Sequence, residues 1–205
     1  MLLVRHAGTA ATRRGDFAGD DDALDPLPRS VPAPDGVTAW LAGQAAEALA
    51  SPARRARETA TLLDLAPATE ARLRPLDVGA WTGRGVADVA AEDPAGLAAW
   101  RVDPDARPHG GETLTELAQR CRALLAGWAA GRPGPPAVVA VTHGAVVRAL
   151  VAAALDLPPE RAWRLEAGPG RAAALAWRGD AWAVTALDAP LPALGRPAGS
   201  GAGAG

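Results

Sequence analysis

Two short apolar runs constrain the fold of this chain more than any other feature of its sequence. Residues 1–6 read MLLVRH and residues 137–142 read AVVAVT. Short apolar runs bounded by turn residues are typical of buried strands. The second run leads into residues 145–155, which are apolar apart from Arg148 and predict a buried helix. Strands that alternate with helices predict an α/β protein, here a three-layer α/β/α sandwich with a mainly parallel central sheet.

Capping and turn residues locate the remaining elements. Ser51 and Pro52 predict the start of a helix over residues 53–63, with Ser51 as its N-cap. Thr113 and Glu116 have the spacing of a capping box and predict another helix. The other predicted elements are a short helix over 38–47, a strand over 69–74, two short helices between 85 and 100, and a hairpin of 171–177 with 181–187.

One domain is predicted over residues 1–188, because the chain has 205 residues and a single domain spans roughly 150. Residues 189–205 are rich in Pro, Gly and Ala, a composition that predicts a disordered tail. Two further Pro- and Gly-rich stretches, 7–36 and 101–111, are predicted to be loops. We expect them to lie over the carboxyl end of the sheet, where ligands bind in folds of this class.

Charge and composition exclude several classes of function. The chain carries 21 basic and 23 acidic residues, a net charge of −2, which supplies little attraction for nucleic acid. A single cysteine excludes a disulfide framework and a cysteine-rich zinc site, and the three histidines show no metal-ligand spacing. The apolar stretches are far shorter than the ~20 residues of a membrane span. We therefore expect a cytoplasmic protein without a metal, a nucleic acid or a membrane as partner; its oligomeric state stays open.

Two histidines follow the two clearest strands. His6 comes after Arg5 at the end of the first strand, and His143 follows the second strand and precedes Gly144. The helix after a third strand carries Arg54, Arg55 and Arg57, and a helix N-terminus attracts anions. If these strands are neighbours, imidazole and guanidinium groups converge on a pocket suited to phosphate. The alternative for each histidine is an ordinary hydrogen-bonded loop residue.

Five segments in order carry a family resemblance. They read LVRHAGT (3–9), SPARRARETA (51–60), DVGAWTG (77–83), PHGGET (108–113) and VTHGAVVR (141–148). These segments resemble the motifs of the histidine phosphatase superfamily, the phosphoglycerate mutase-like proteins whose signature is RHG. The resemblance implies a phosphoglycerate mutase-like fold and a phosphatase that needs neither a metal nor another cofactor.

The resemblance also implies roles for individual residues. His6 would be the nucleophile and would form a phosphohistidine, while Arg5 and Arg55 would hold the phosphoryl oxygens. His143 would donate a further hydrogen bond, and Thr12 and Gly144 would contact the substrate. The spacing from Ser51-Pro52 selects Arg55 rather than Arg54 or Arg57. The substrate would be a small phosphorylated metabolite. The α-ribazole phosphatase branch is one of several branches of the family to which the chain could belong.

One departure from the family pattern bears on the chemistry. Many relatives carry an acid two residues before the Asp of the third motif, where it protonates the leaving oxygen; here that position is Pro75. Asp77 or Glu112 would then have to serve as general acid. Otherwise the leaving group is a good one, or the protein is a non-hydrolytic pathway enzyme or a phosphate-binding protein. A mutase-type phosphotransferase is a weaker reading, because mutases rely on the acid that is missing.

Overall fold

The computed structural model describes residues 1–26, 37, 46–130 and 137–190. A six-stranded sheet is the centre of this part of the chain, in the order β3-β2-β4-β1-β5-β6. Strands β3, β2, β4 and β1 are parallel, whereas β5 runs antiparallel to β1 and β6 antiparallel to β5. The predicted α/β class with its mainly parallel sheet is therefore confirmed. The strands are β1 Leu2–Arg5, β2 Ala46–Ala50, β3 Ala68–Thr69, β4 Ala137–Thr142, β5 Ala172–Trp177 and β6 Trp182–Ala189.

Helices connect the strands and cover both faces of the sheet. The α-helices are α1 Ala10–Arg14, α2 Arg54–Leu62, α3 Val86–Glu92, α4 Pro94–Val102, α5 Leu114–Ala129 and α6 Gly144–Ala154. Short 3-10 turns lie at Ala71–Leu73, Gly79–Trp81 and Pro159–Arg164.

Alternate residues of each strand face opposite layers of the core. On one side Leu3 and Ala140 pack in a cluster that includes residues of α5 and α6. On the other side Val4 and Val141 pack in a cluster that includes Ala56 and other residues of α2. The central strands β1 and β4 are buried on both faces, which is why their sequences are continuous apolar runs rather than alternating ones.

Helix α5 shows how a predicted pattern determines packing. Thr113 and Glu116 form the expected capping box at its start. Its buried face includes Leu117, Leu124 and Cys121, the single cysteine of the chain. Burial raises the pKa of the Cys121 thiol to about 12, so this side chain behaves as a small apolar residue.

The structure corrects three local predictions. Of residues 69–74, only Thr69 belongs to a strand, and a 3-10 turn follows it. In the predicted helix over 38–47, residues 38–45 lie outside the described residues and 46–47 belong to β2. Ser51 is not an N-cap: α2 begins at Arg54, with Ala53 at the cap position, and the Ser51 hydroxyl accepts a hydrogen bond from the Ala53 N–H.

The C-terminal hairpin agrees with its sequence pattern, since β5 and β6 pair antiparallel through Trp177 and Trp182. Strand β6 ends at Ala189, one residue beyond the predicted domain boundary. Residues 191–205, most of the predicted tail, lie outside the described residues. Within the described part of the chain, no helix is long and apolar enough to cross a membrane.

Candidate active site

Neighbouring strands bring the two predicted histidines together. β1 and β4 are parallel, with Arg5 opposite Thr142, so each histidine follows its strand at the same edge of the sheet. The backbone N–H of His6 donates a hydrogen bond to the Thr142 carbonyl oxygen at 2.9 Å. The ring centroids of His6 and His143 are 5.2 Å apart, and both side chains are buried. The ends of the two strands thus form a two-histidine site, as the sequence predicts.

The ring of His6 is held with one nitrogen free for chemistry. Its Nδ1 lies 2.8 Å from the Ala7 carbonyl oxygen, and because a carbonyl can only accept, Nδ1 carries the proton. The Nε2 atom therefore presents its lone pair, and the Arg55 Nε–H points at it from 3.3 Å. The Ala7 peptide is itself fixed, since its N–H donates to the Thr59 hydroxyl on α2 at 3.0 Å.

Burial and nearby cations keep both imidazoles neutral. Burial, together with the charges of Arg55 and Arg5, lowers the pKa of His6 to about 3. Burial is also the main reason that the pKa of His143 lies well below 6.5, and His6 and Arg55 add to the effect. A neutral ring is the form in which a histidine nitrogen can act as nucleophile.

His143 is oriented through the residue that was predicted to cap α2. Its Nε2 lies 2.8 Å from the Ser51 hydroxyl oxygen. Its Nδ1 is buried and has no hydrogen-bond partner among the described residues. When the Ser51 hydroxyl donates to Nε2, the imidazole proton is on Nδ1, which is then available as a donor.

Arg5 and Gly144 fit against each other. The Arg5 Nη1 donates to the Ala167 carbonyl at 2.6 Å. A Cβ on Gly144 would lie 3.1–3.2 Å from the Nη1, Cζ and Nε atoms of the same guanidinium, so the absent side chain gives Arg5 its place. Burial, with Arg148 nearby, lowers the pKa of Arg5 to about 10, and the group stays charged at neutral pH.

A cavity of about 210 Å³ opens beside these groups. Arg54, by contrast, points away and pairs with Glu58 at 2.7 Å, and Arg57 is exposed. The spacing rule that selects Arg55 is therefore consistent with the geometry. The cavity is lined by all six residues predicted to contact phosphate or substrate: Arg5, His6, Thr12, Arg55, His143 and Gly144.

Thr12 reaches this cavity from α1. Its side chain closes a capping box with Thr9, and its hydroxyl donates to the Thr9 carbonyl at 2.8 Å. The hydroxyl oxygen also accepts the Thr9 N–H at 2.8 Å. Thr12 thus lines the cavity, and its hydroxyl takes part in the capping box at the start of α1.

Neither acid predicted to replace the one missing at Pro75 lines this cavity. Pro75 itself is a wall residue. Asp77 is exposed, accepts the Gly79 N–H at 2.8 Å, and lines a neighbouring cavity instead. Glu112 is buried in a bidentate ion pair with Arg120, with oxygen–nitrogen distances of 2.9 and 2.7 Å. Asp77 lies in the adjoining cavity and Glu112 is held by Arg120, so the assignment of either as general acid stays a prediction.

Sequence reasoning missed several cavity residues. Asp16, which pairs with Arg14 at 2.7 Å, is the carboxylate among the described wall residues. Arg148 lies one helical turn after Gly144 in α6. Because residues four positions apart lie on the same face of a helix, this spacing predicts that Arg148 is on the cavity side. Trp100 belongs to the buried core and also lines the cavity. The other missed wall residues are Phe17, Ala18, Leu76, Val78, Ala145 and Trp163.

Nothing among the described residues resembles a metal centre. No group of three or more His, Cys, Asp or Glu side chains lies close enough together to hold an ion there. The charge of the cavity comes instead from the guanidinium groups of Arg5, Arg55 and Arg148. This arrangement can bind a compact dianion and present the His6 Nε2 to it.

A scan against protein families agrees with the geometry of the site. The family model described as the histidine phosphatase superfamily (branch 1) matches residues 1–190. The chain belongs to this superfamily. It is a phosphatase. Hydrolysis is therefore favoured over the two alternatives, a phosphate-binding protein and a non-hydrolytic pathway enzyme.

Known relatives support the same conclusion. A glucosyl-3-phosphoglycerate phosphatase of Mycobacterium tuberculosis is 33% identical over 164 residues, which cover 67% of this chain and 73% of the relative. A mycobacterial glucosyl-3-phosphoglycerate phosphatase solved with VO3 superposes with a TM-score of 0.79 at 29% identity, covering 92% of this chain and 98% of that one. The α-ribazole phosphatase of Shigella flexneri has a TM-score of 0.77 at 24% identity, with 92% and 96% covered, and shares the fold.

Proposed function

We propose that this phosphatase hydrolyses a small phosphorylated metabolite through a phosphohistidine intermediate on His6. The observation that carries the proposal is the 3.3 Å approach of the Arg55 Nε–H to the His6 Nε2. It places a cation beside the one imidazole nitrogen that is free to attack. The hydrogen bond from Nδ1 to Ala7 and the lowered pKa of His6 support the same role.

In the first step the His6 Nε2 attacks phosphorus, the bond from phosphorus to the leaving oxygen breaks, and the leaving oxygen takes a proton from water. The transferred group carries its charge on three oxygens, so fixed donors supply most of the stabilisation. Arg5, Arg55 and His143 are those donors. Water then attacks the phosphohistidine, inorganic phosphate leaves, and His6 returns to its neutral form.

Two relatives guide the choice of substrate. Both the sequence relative and the structural relative are named glucosyl-3-phosphoglycerate phosphatases. That compound is the first physiological ester to assay, alongside an aryl phosphate as a generic substrate. Its phosphate is a compact dianion that matches the three guanidinium groups lining the cavity.

Trapping the intermediate tests the proposal. Wild type, His6→Asn and His143→Asn are mixed with labelled aryl phosphate, quenched within the first turnover, digested and analysed by mass. We expect a phosphoryl group on the peptide that contains His6 in wild type, a weaker signal in His143→Asn, and none in His6→Asn. Label on the His143 peptide, or label that survives in His6→Asn, would overturn the assignment. Circular dichroism checks that each variant is folded.

A further inference from the structure

A second cavity adjoins the first and has a different character. It measures about 300 Å³ and shares the wall formed by Ala18, Pro75, Leu76 and Val78 with the phosphate cavity. The two volumes together fall in the range of roughly 300–1,000 Å³ that is typical of small-molecule sites. The two cavities are therefore adjacent, with Pro75 lining both.

The charges of the second cavity disfavour a second phosphate. Its polar walls include Asp20, Asp77 and Thr82, all of them exposed enough to meet a ligand. Its cation, Arg74, pairs with the buried Glu112 at 3.1 Å. Two carboxylates against one guanidinium leave this cavity with a net negative charge, in contrast to the three guanidinium groups of the phosphate cavity. Carboxylates and a hydroxyl suit a neutral group that donates hydrogen bonds, which is the chemistry of a polyol or sugar.

The segment that contains Gly19 lines the second cavity and also holds Arg55 in place. The Gly19 carbonyl accepts a hydrogen bond from the Arg55 Nη1, the arginine that approaches His6. A Cβ on Gly19 would lie 3.8 Å from the Thr82 Cγ2, so this segment rests against the opposite wall. A group bound in this cavity beside Gly19 and Thr82 is thus close to the segment that holds Arg55.

We infer that the second cavity binds a neutral, hydroxyl-bearing part of the leaving group, so that the enzyme prefers sugar-bearing phosphomonoesters. This inference rests on the proposed function, because it takes the phosphate to lie beside His6. Asp20, Asp77 and Thr82 are specificity residues in this view. Their hydrogen bonds act on binding of the sugar, and the charge of Asp20 also acts on Arg55.

A matched pair of ligands tests the inference. Glucosyl-3-phosphoglycerate and 3-phosphoglycerate share the phosphate and the carboxylate and differ by the sugar. Each is measured as a competitor of aryl phosphate hydrolysis. We expect wild type to bind the glucosyl ester at least ~10-fold more tightly, the worth of about one hydrogen bond to a charged group. Equal inhibition constants in wild type would overturn the inference.

Variants then locate the preference. Asp77→Asn removes an acceptor charge and Thr82→Trp fills the cavity. Both should weaken binding of the glucosyl ester towards that of 3-phosphoglycerate, and neither should change binding of 3-phosphoglycerate itself. Asp21→Asn and Thr61→Val are the matched controls, since both residues are exposed and neither lines the two cavities. A preference that persists in the first pair of variants, or is lost in the controls, contradicts the assignment.

Failure of the two proposals can be told apart. If wild type releases no phosphate from the aryl ester, the proposed hydrolytic function fails. The sugar preference is then measured directly by calorimetric titration of the two phosphoglycerates. If phosphate is released but the two esters bind equally, only the second cavity has been assigned wrongly.

Discussion

The Nε atom of Arg55 lies 3.3 Å from the Nε2 atom of His6, although the two residues are 49 positions apart in the chain. Arg55 is the second residue of α2 and is 2% exposed, whereas its neighbour Arg54 is exposed and pairs with Glu58. One position along a helix therefore separates a group that touches the nucleophile from one that faces solvent.

This difference predicts unequal effects of two alanine substitutions. Arg55→Ala removes a fixed donor for the phosphoryl oxygens and should lower kcat/KM roughly 10²–10³-fold, as for the loss of one oxyanion donor. Arg54→Ala should change it by less than about threefold, since an exposed ion pair contributes little. Steady-state kinetics with an aryl phosphate measure both. Equal losses would show that α2 is not aligned as described.

Gly144 should not tolerate a side chain. In Gly144→Ala the new Cβ would lie 3.1–3.2 Å from the Arg5 guanidinium, so Arg5 must shift by a few tenths of an ångström. Turnover should then fall ~10-fold, because a displaced donor stabilises the phosphoryl oxygens less well. Gly127→Ala in α5 is the matched control, because its Cβ would meet only the Arg72 Nη1 at 4.0 Å. That control should raise stability by up to ~1 kcal/mol with unchanged kcat. Kinetics and denaturant unfolding separate the two outcomes.

Glu112 should matter for stability and not for the chemical step. Its side chain and that of Arg120 are 7% and 8% exposed, and loss of one partner of a buried pair costs about 3–5 kcal/mol. Glu112→Gln should therefore lower the free energy of unfolding by an amount of this order, while kcat of the folded fraction stays within a factor of two. Glu70→Gln, at the more exposed pair with Arg72, should cost ~1 kcal/mol or less. A large loss of kcat with normal stability would restore Glu112 as an acid.

The leaving group should control the rate. With Pro75 in the cavity wall and Asp77 and Glu112 elsewhere, alkyl phosphates should react roughly 10²–10⁴-fold more slowly than aryl phosphates, the usual worth of a general acid. Pro75→Glu should narrow this gap by speeding up the alkyl ester alone; Pro75→Ala is the control. Rates for a series of esters of graded leaving-group acidity measure the effect. A flat series in wild type would reveal an effective acid that is already present.

Acid should destabilise the protein through its buried histidines. The pKa of His6 is lowered to about 3 and that of His143 lies well below 6.5, while the unfolded chain binds protons at about 6.5. Below that pH the unfolded state therefore holds more protons, and the free energy of unfolding falls as the pH falls. Between pH 7 and 5 each histidine adds a slope of at most ~1.4 kcal/mol per pH unit. Urea unfolding at several pH values measures this dependence. The free energy of unfolding should change less with pH in His6→Asn than in wild type.

Strand ends and helix caps were the parts of the fold that could be predicted from sequence. Apolar runs located β1 and β4 because both are buried on two faces, and Thr113 with Glu116 fixed the start of α5 by a local hydrogen-bond pattern. Residues 69–74 were misread because only Thr69 of that range pairs with β2, and pairing is not encoded locally. Ser51 was misread as a cap because its hydroxyl contacts both Ala53 and His143, and the second partner is 92 residues away.

The site shows the same division between local and distant information. Motif order identified His6, Arg55 and His143, since each follows a strand end or opens a helix. The surroundings of Glu112 and Asp77 could not be predicted that way, because they depend on the ion pair with Arg120 and on the residues that line the adjoining cavity. Asp16 was missed because a carboxylate in a loop carries no pattern until the fold brings it to the cavity.

The buried cysteine of α5 has a practical consequence for studies in solution. Cys121 is 0% exposed and its thiol has a pKa of about 12, so alkylating reagents can modify it only when the core opens. The rate at which this thiol is alkylated therefore reports how often the core opens. A cysteine introduced at the rim of either cavity would be the sole fast-reacting thiol, and a fluorophore attached there would report on ligand entry without any change to the native sequence elsewhere.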